Sequence, residues 1–170
     1  MGEWGAGVGV TLEVGVRPAL PDDETTLARL VGLAHTELQH ERGAAVWFQY
    51  EGRVFDPCAA DLVRRPGLDE RVMLGTINDV VVGFCVGHLA TLHNQRTLGI
   101  ITELYVELEG REIGVGDALI TEQVESFRSR GAIGVDSWAL PGARLTKNFY
   151  EAHHFTARAL TLHHRFVDRS

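Results

Sequence analysis

Cysteine is almost absent from this sequence. Cys58 and Cys85 are the only two in 170 residues, too few for a disulfide framework or a cysteine-rich zinc site. Long apolar runs are also missing: no stretch reaches the ~18 residues that a membrane span needs. The first residues are not a basic start followed by an apolar core. No secretory signal is therefore expected, and a reducing cytoplasm is the default setting. Basic side chains are the minority charge, 16 Lys and Arg against 23 Asp and Glu, for a net charge of -7. An acidic surface repels phosphate backbones, which argues against nucleic acid as a partner and favours a cationic one.

What is there suits one folded unit. A hydrophobic content of 45% can fill a core without covalent staples. Residues 1–10 are glycine-rich with almost no charge, and read as a flexible leader before a single domain over 11–170. Val14 to Arg17 reads as a short strand. Pro21-Asp22-Asp23-Glu24 reads as a helix start with a carboxylate cap. Leu27, Leu30, Val31, Ala34 and Leu38 follow at helical spacing, carrying that helix to about His40. Residues 41–58 show no clear period, although Trp47, Phe48 and Tyr50 cluster there. Ala59 to Arg65 reads as a second helix, closed by Pro66-Gly67.

The chain then becomes β-rich. Arg71 to Ile77 and Val80 to Leu89 are apolar, β-branched runs separated only by Asn78-Asp79, a tight hairpin signal. Gly83 and Gly87 in the second run point to a bulge or a close backbone approach. Thr97 to Val106 is a third strand. Val115, Leu119, Ile120, Val124 and Phe127 line one face of a helix that Gly131 ends. Ile133 to Trp138 reads as a strand and Leu145 to Ala152 as a short helix. Phe155 to Leu162 and His164 to Val167 read as closing strands. Strand–helix–strand over 100–138 implies a parallel crossover, and the meander before it implies antiparallel pairs. The fold class is α/β (α+β): a mixed central sheet with helices on both faces.

The chemistry concentrates at Arg111-Glu112-Ile113-Gly114-Val115-Gly116-Asp117, between a strand and a helix. Glycines let the backbone approach a ligand, and the first N–H groups of a helix have no partner within it. Together they make an anion site suited to a pyrophosphate, to which Arg111 adds charge. These residues alone are equally the signature of a plain glycine-rich turn. They are not a Walker motif, lacking the Lys-Ser/Thr pair, nor a three-glycine dinucleotide fingerprint. The paired histidines His153-His154 and His163-His164 point opposite ways along a strand and match no metal spacing, so no metal is expected. His88 and His93 read as solvated loop residues, or, on the family resemblance set out below, as neighbours of the acceptor end of the cleft. Cys85 reads as a small core residue. Ser137 has no His and Asp arranged around it for a hydrolase triad. Trp47, Phe48 and Tyr50 read as ordinary core, or, on the family resemblance set out below, equally as a wall of the acceptor pocket.

The context resembles the GNAT superfamily of acetyl-CoA-dependent N-acetyltransferases. The family signature is a strand ending Leu-x-Val, then Arg/Gln-x-x-Gly-x-Gly/Ala, and about forty residues later Asn with Phe-Tyr-Glu-x-x-Gly-Phe. This chain has Leu104-Tyr105-Val106, then Arg111 to Gly116, then Asn148-Phe149-Tyr150-Glu151-Ala152-His153-His154-Phe155. The likeness is specific over 97–155 and follows the element order over 14–167. Three positions depart from it: Leu108 stands for the usual proline, Glu112 for the first loop glycine, and His154 for the last glycine.

The resemblance implies a splay between the strand of Leu104–Val106 and the next parallel strand. The pantetheine arm of acetyl-CoA, a co-substrate, would lie in that gap. Its phosphates would meet Arg111, Glu112, Ile113, Gly114, Val115, Gly116 and Asp117, with Asn148 nearby. An N–H near Tyr105 or Val106 would steady the developing oxyanion, and Tyr150 would protonate the leaving thiolate, phenol and thiol pKa values being close. Glu103, on the face of Tyr105 by strand alternation, would take the amine proton or bind the ammonium. The acceptor implied is a primary amine of a small molecule or peptide, and a homodimer is compatible with the reading. Two other readings stand beside it: a non-catalytic acyl-CoA-binding module, and a dimerising scaffold of the same shape that binds no cofactor.

Overall fold

The computed structural model of the protein describes residues 11–50, 70–164 and 166. The expected helix at Ala59–Arg65 and the leader at 1–10 lie outside the described residues. Five strands form one mixed sheet in the order β1-β2-β3-β4-β5: β1 (Val14–Pro18), β2 (Glu70–Ile77), β3 (Val80–Thr91), β4 (Thr97–Val106) and β5 (Ala132–Asp136). The first three pairings are antiparallel, and β4 with β5 is parallel.

Local chemistry accounts for the meander. Asn78 and Asp79 take φ of 47° and 65°, the left-handed pair that a two-residue hairpin needs and that short polar side chains tolerate. Asn78 also ties β1 to the turn: its Oδ1 accepts from the Glu13 N–H at 2.9 Å, while its own N–H donates to the Glu13 carbonyl at 2.8 Å. The bulge signalled by Gly87 is present. Val86 faces Glu103 and Gly87 faces Ile101, so Thr102 is the extra residue on β4.

A 3-10 turn at Pro21–Asp23 leads into α1 (Glu24–Leu38). Asp23 accepts from the Leu20 N–H at 2.8 Å and takes both Arg17 nitrogens at 2.7 Å. The Arg17 hydrogen bond holds its carboxyl below the ordinary range. Leu27, Leu30 and Val31 of α1 bury against Leu74, Phe84 and Val86 on one face of the sheet. The other face is covered by α4 (Val115–Ser129). From it Val115, Leu119, Ile120 and Phe127 pack with Met73, Cys85, Ile101 and Val106. Close contact there depends on glycine: a Cβ on Gly99 would lie 2.4 Å from the Phe127 ring. Burial pushes the Cys85 thiol up, so it stays a protonated core group.

Four expectations need correction. Residues Ala44–Tyr50, which show no period, form a short helix, α2. It is held by tertiary contact, since Ala44, Trp47 and Phe48 pack with Leu38, Trp138, Leu140 and Ala143. The strand expected over Ile133–Trp138 stops at Asp136. Phe155–Leu162 forms no strand. Among the described residues β5 is the last strand of the sheet, and a segment without a paired backbone does not make a strand. His164 is likewise outside any strand, and the rest of that second expected strand is largely outside the described residues.

Candidate active site

The site begins where the ladder between β4 and β5 ends. Pairing runs through Thr97 with Ala132, Gly99 with Val135, and Ile100 with Asp136, and goes no further. Beyond Ile100 the two strands part, giving the expected splay. The innermost carbonyls of the gap are taken by side chains that follow β5. The Trp138 indole N–H donates to the Thr102 carbonyl at 2.8 Å. The Ser137 hydroxyl approaches the Ile101 carbonyl at 3.5 Å.

At the outer end the chain leaves Val106 through a single helical turn, α3 (Leu108–Arg111). Leu108 stands at the first helical position, where a proline would fit because no N–H is needed there. Then Gly114 caps α4 with φ of 94° and no side-chain hydrogen bond. The left-handed backbone requires glycine, and a Cβ there would meet nothing closer than Asp117 Oδ2 at 3.9 Å. The first turn of α4 therefore offers backbone N–H groups that neither the helix nor a capping side chain satisfies. Gly116 has a different reason: a Cβ would press on the Phe149 ring at 3.2 Å, so it allows α4 to approach α5 (Arg144–Ala152). Ile113 is half-buried, and the Glu112 side chain is exposed, leaving the loop backbone clear.

Arg111 is positioned away from the expected role. Its Nε donates to the Val106 carbonyl at 2.8 Å, and its two terminal nitrogens hold Glu37 of α1 at 2.8 and 2.6 Å. The guanidinium lies 5.6 Å from the Tyr105 ring centre. It clamps the end of β4 to α1, and its charge is shared with Glu37 rather than offered to the loop at Gly114.

Tyr105 packs against the α1 cluster, while Leu104 and Val106 pack on the α4 side. Glu103 shares the Tyr105 face by alternation, half-buried. Ile101 sits in the α4 cluster, two residues away yet on the opposite face from Glu103. The bulge at Thr102 reverses the phase, so the first half of β4 does not continue the alternation of the second.

Tyr150 is buried in the α4 cluster, 8% exposed. Its hydroxyl shares a hydrogen bond with Ser137, yet burial is the larger influence and pushes the phenol above its ordinary range. The near-match of phenol and thiol pKa values is thus lost in this environment, and Tyr150 holds its proton firmly. Asn148, on the same helix, is exposed. His154 keeps the backbone of the glycine it replaces, with φ of 66°, so the motif's turn survives the substitution.

Sequence reading passed over three residues that structure brings here. Ser137 and Trp138 cap the splay; the sequence reads them as the end of the strand Ile133–Trp138, and no local signal marks them out. His153 was set aside as half of a metal-incompetent pair. Its Nδ1 lies 2.9 Å from the Phe149 carbonyl and its Nε2 3.0 Å from Asp117 Oδ1. Both partners are hydrogen-bond acceptors. A groove of about 310 Å³ lies beside this pair, between Ile120, Val124, Ala152 and His154.

The fold has solved counterparts. An aminoglycoside acetyltransferase from an uncultured soil metagenomic sample, solved with sisomicin, aligns over 92% of this chain and 97% of its own at 16% identity and a TM-score of 0.65. A ribosomal-protein-alanine N-acetyltransferase from Brucella melitensis biovar Abortus aligns over 90% and 99% at 18% identity and a TM-score of 0.66. The aminoglycoside N-acetyltransferase AAC(6')-Iy, solved with CoA, aligns over 94% and 98% at 12% identity and a TM-score of 0.70. No protein-family model matches the sequence, and no curated protein matches it. The splayed mixed sheet flanked by helices on both faces is the GNAT fold, which this chain shares with these N-acetyltransferases.

Proposed function

We propose that the protein is an N-acetyltransferase that moves an acetyl group from acetyl-CoA to a primary amine of a small molecule or peptide. The observation that carries the reading is the pairing of an uncapped glycine N-terminus on α4 with a splay beginning at Ile100. The first suits phosphates. The second ends the ladder with β5 at Ile100, so the two strands part before Leu104, Tyr105 and Val106, where an amide-bearing arm would lie. The fit is mixed in charge: Asp117 and the exposed Glu112 stand near the anion site, with His153 beside Asp117.

Acetyl-CoA, when bound, supplies the activated thioester. The N–H groups of Val115, Gly116 and Asp117 hold its phosphates, and Asn148 borders them. Residues Leu104, Tyr105 and Val106 hold the arm, and one of their N–H groups polarises the carbonyl. Arg111 contributes by fixing the end of β4. Glu103 takes the amine proton or anchors the ammonium. Tyr150 is the proton donor on this reading; burial keeps its hydroxyl protonated but makes it a weaker acid, so transfer to the leaving thiolate runs against the raised pKa.

Titration with acetyl-CoA tests the assignment. A ligand of the native state alone raises the melting temperature by mass action. Gly114→Val puts a β-branched residue at φ of 94°, and is expected to abolish the rise while circular dichroism stays native. No rise for the unmodified protein at millimolar acetyl-CoA would remove the cofactor from the reading. Amine-dependent release of free CoA then separates an enzyme from a non-catalytic acyl-CoA-binding module.

A further inference from the structure

We propose that two copies of the chain associate through the segment after Phe155, each tail adding as a strand to the outer edge of β5 in the other copy.

The body holds the chain up to Phe155, whose N–H donates to the Tyr150 carbonyl at 3.0 Å and whose ring packs on the α4 cluster. Beyond it, residues 156–164 form neither helix nor strand and are exposed throughout. Leu160, Leu162 and Phe166 are 86, 90 and 86% exposed. Arg158 takes both carboxylate oxygens of Asp136, the last residue of β5, with its Nε donating at 2.8 Å. That contact sets a register. An antiparallel strand with Arg158 beside Asp136 has Leu160 beside Gly134 and Leu162 beside Ala132, and alternation puts the three tail residues on one face. Among the described residues β5 pairs on one side only, with β4, and Ile133 and Gly134 are exposed. An edge strand of this kind is a template for another backbone.

A second copy fits this edge better than the chain's own tail does. A tail laid on its own edge would become the new edge, with one neighbouring strand and its leucines still open to water. Exchange between two copies brings both tails to the two-fold axis, where each covers the other. The contact between Arg158 and Asp136 is then made between copies instead of within one, so exchange loses none of it. Charge agrees. From Ala152 to Val167 the sequence has two arginines, four histidines and no acid, in a chain of net charge -7. A basic tail is drawn to the acidic body of another copy. Area agrees as well. Leu160, Leu162 and Phe166 each expose on the order of 150 Å². With Ile133, which is 45% exposed, and the backbone between them, two copies covering each other approach the ~1,200 Å² at which specific interfaces begin.

Sedimentation equilibrium on the unmodified protein at micromolar concentration is expected to give the mass of two chains. Leu160→Asp combined with Leu162→Asp is expected to weaken association at least about a hundredfold, two buried leucines being lost. Its circular dichroism is expected to stay native, because both residues are exposed within one chain. Strand exchange is read by mixing two single variants, Gly134→Cys and Leu160→Cys, each with Cys58→Ser. A Cβ on Gly134 meets only Leu98, at 3.7 Å, an ordinary contact, and Cys85 is buried. Oxidation of the mixture is expected to give a covalent pair with one chain of each kind, the disulfide joining the two substituted positions. A single-chain mass for the unmodified protein overturns the proposal. So does an unaltered dimer in the Leu160→Asp, Leu162→Asp variant, since the interface then lies elsewhere. No mixed pair, together with a disulfide inside single chains carrying both Gly134→Cys and Leu160→Cys, places the tail on its own edge and overturns it too.

Discussion

Removing the Tyr150 hydroxyl has two consequences that can be measured apart. Tyr150→Phe keeps the ring among Phe149, Phe155 and the α4 cluster, but deletes the hydrogen bond to Ser137. Ser137 is then left with the Ile101 carbonyl at 3.5 Å. Loss of one such bond costs about 0.5–1.5 kcal/mol at neutral pH, a fall of roughly 1–6 °C in melting temperature for a chain of this size. The phenol adds a pH dependence. Its folded pKa is raised, so the folded state keeps a proton that the unfolded state gives up above about pH 10. Stability from that difference is intact below pH 10 and is lost as pH climbs toward the folded value. At pH 11 the unmodified protein has lost about 1.4 kcal/mol that Tyr150→Phe never had to lose. The melting-temperature gap between the two should therefore shrink from pH 8 to pH 11 and close or change sign. Turnover is the second measurement. General acid catalysis is worth ~10²–10⁴-fold, so CoA release should fall at least about tenfold, with water as the substitute donor. A stability gap that stays constant to pH 11 would mean that the phenol is not buried as described. Unchanged turnover across the pH range would leave Tyr150 a packing residue.

Two further substitutions probe the site and its turn. Glu103→Gln should lower kcat/KM for the amine by at least about tenfold while the acetyl-CoA-induced rise in melting temperature is kept. A loss in kcat identifies a base and a rise in KM an ammonium anchor, and no change in either dismisses both roles. His154→Gly relieves a left-handed backbone at φ of 66° that costs a non-glycine residue ~1–2 kcal/mol, partly offset by the freedom glycine gains when unfolded. It should raise stability by about 0.5–1 kcal/mol in thermal unfolding, and a decrease would show that the His154 side chain contributes contacts of its own.

The features legible in the sequence are those that nearest neighbours along the chain decide. Asn78-Asp79 dictates its hairpin because two adjacent residues must both take positive φ. The apolar stripe from Val115 to Phe127 marks a helix because spacing alone places it on one face. Gly114 marks the cap of that helix for the same local reason. The order of strands and helices was sufficient for the fold class, and the resemblance carried by the motifs over 104–155 implied the splay.

Other features depend on residues far apart in the chain. Thr102 becomes an extra residue only because Gly87, on the neighbouring strand, pairs with Ile101. Arg111 turns to α1 because Glu37, 74 positions earlier, offers a bidentate carboxylate at 2.6–2.8 Å. Trp138 leaves its strand to take the Thr102 carbonyl because Trp47, on a helix with no periodic signal, provides the surface on which it stacks. Phe155–Leu162 alternates like a strand but is not one, since pairing needs a second backbone. The sequence by itself determined the hairpin, the strands of the meander and the two long helices, and marked a candidate anion site at the start of the second. Only the tertiary structure decided how deep the gap runs and which side chain ends it, because both depend on contacts between elements that no local pattern records.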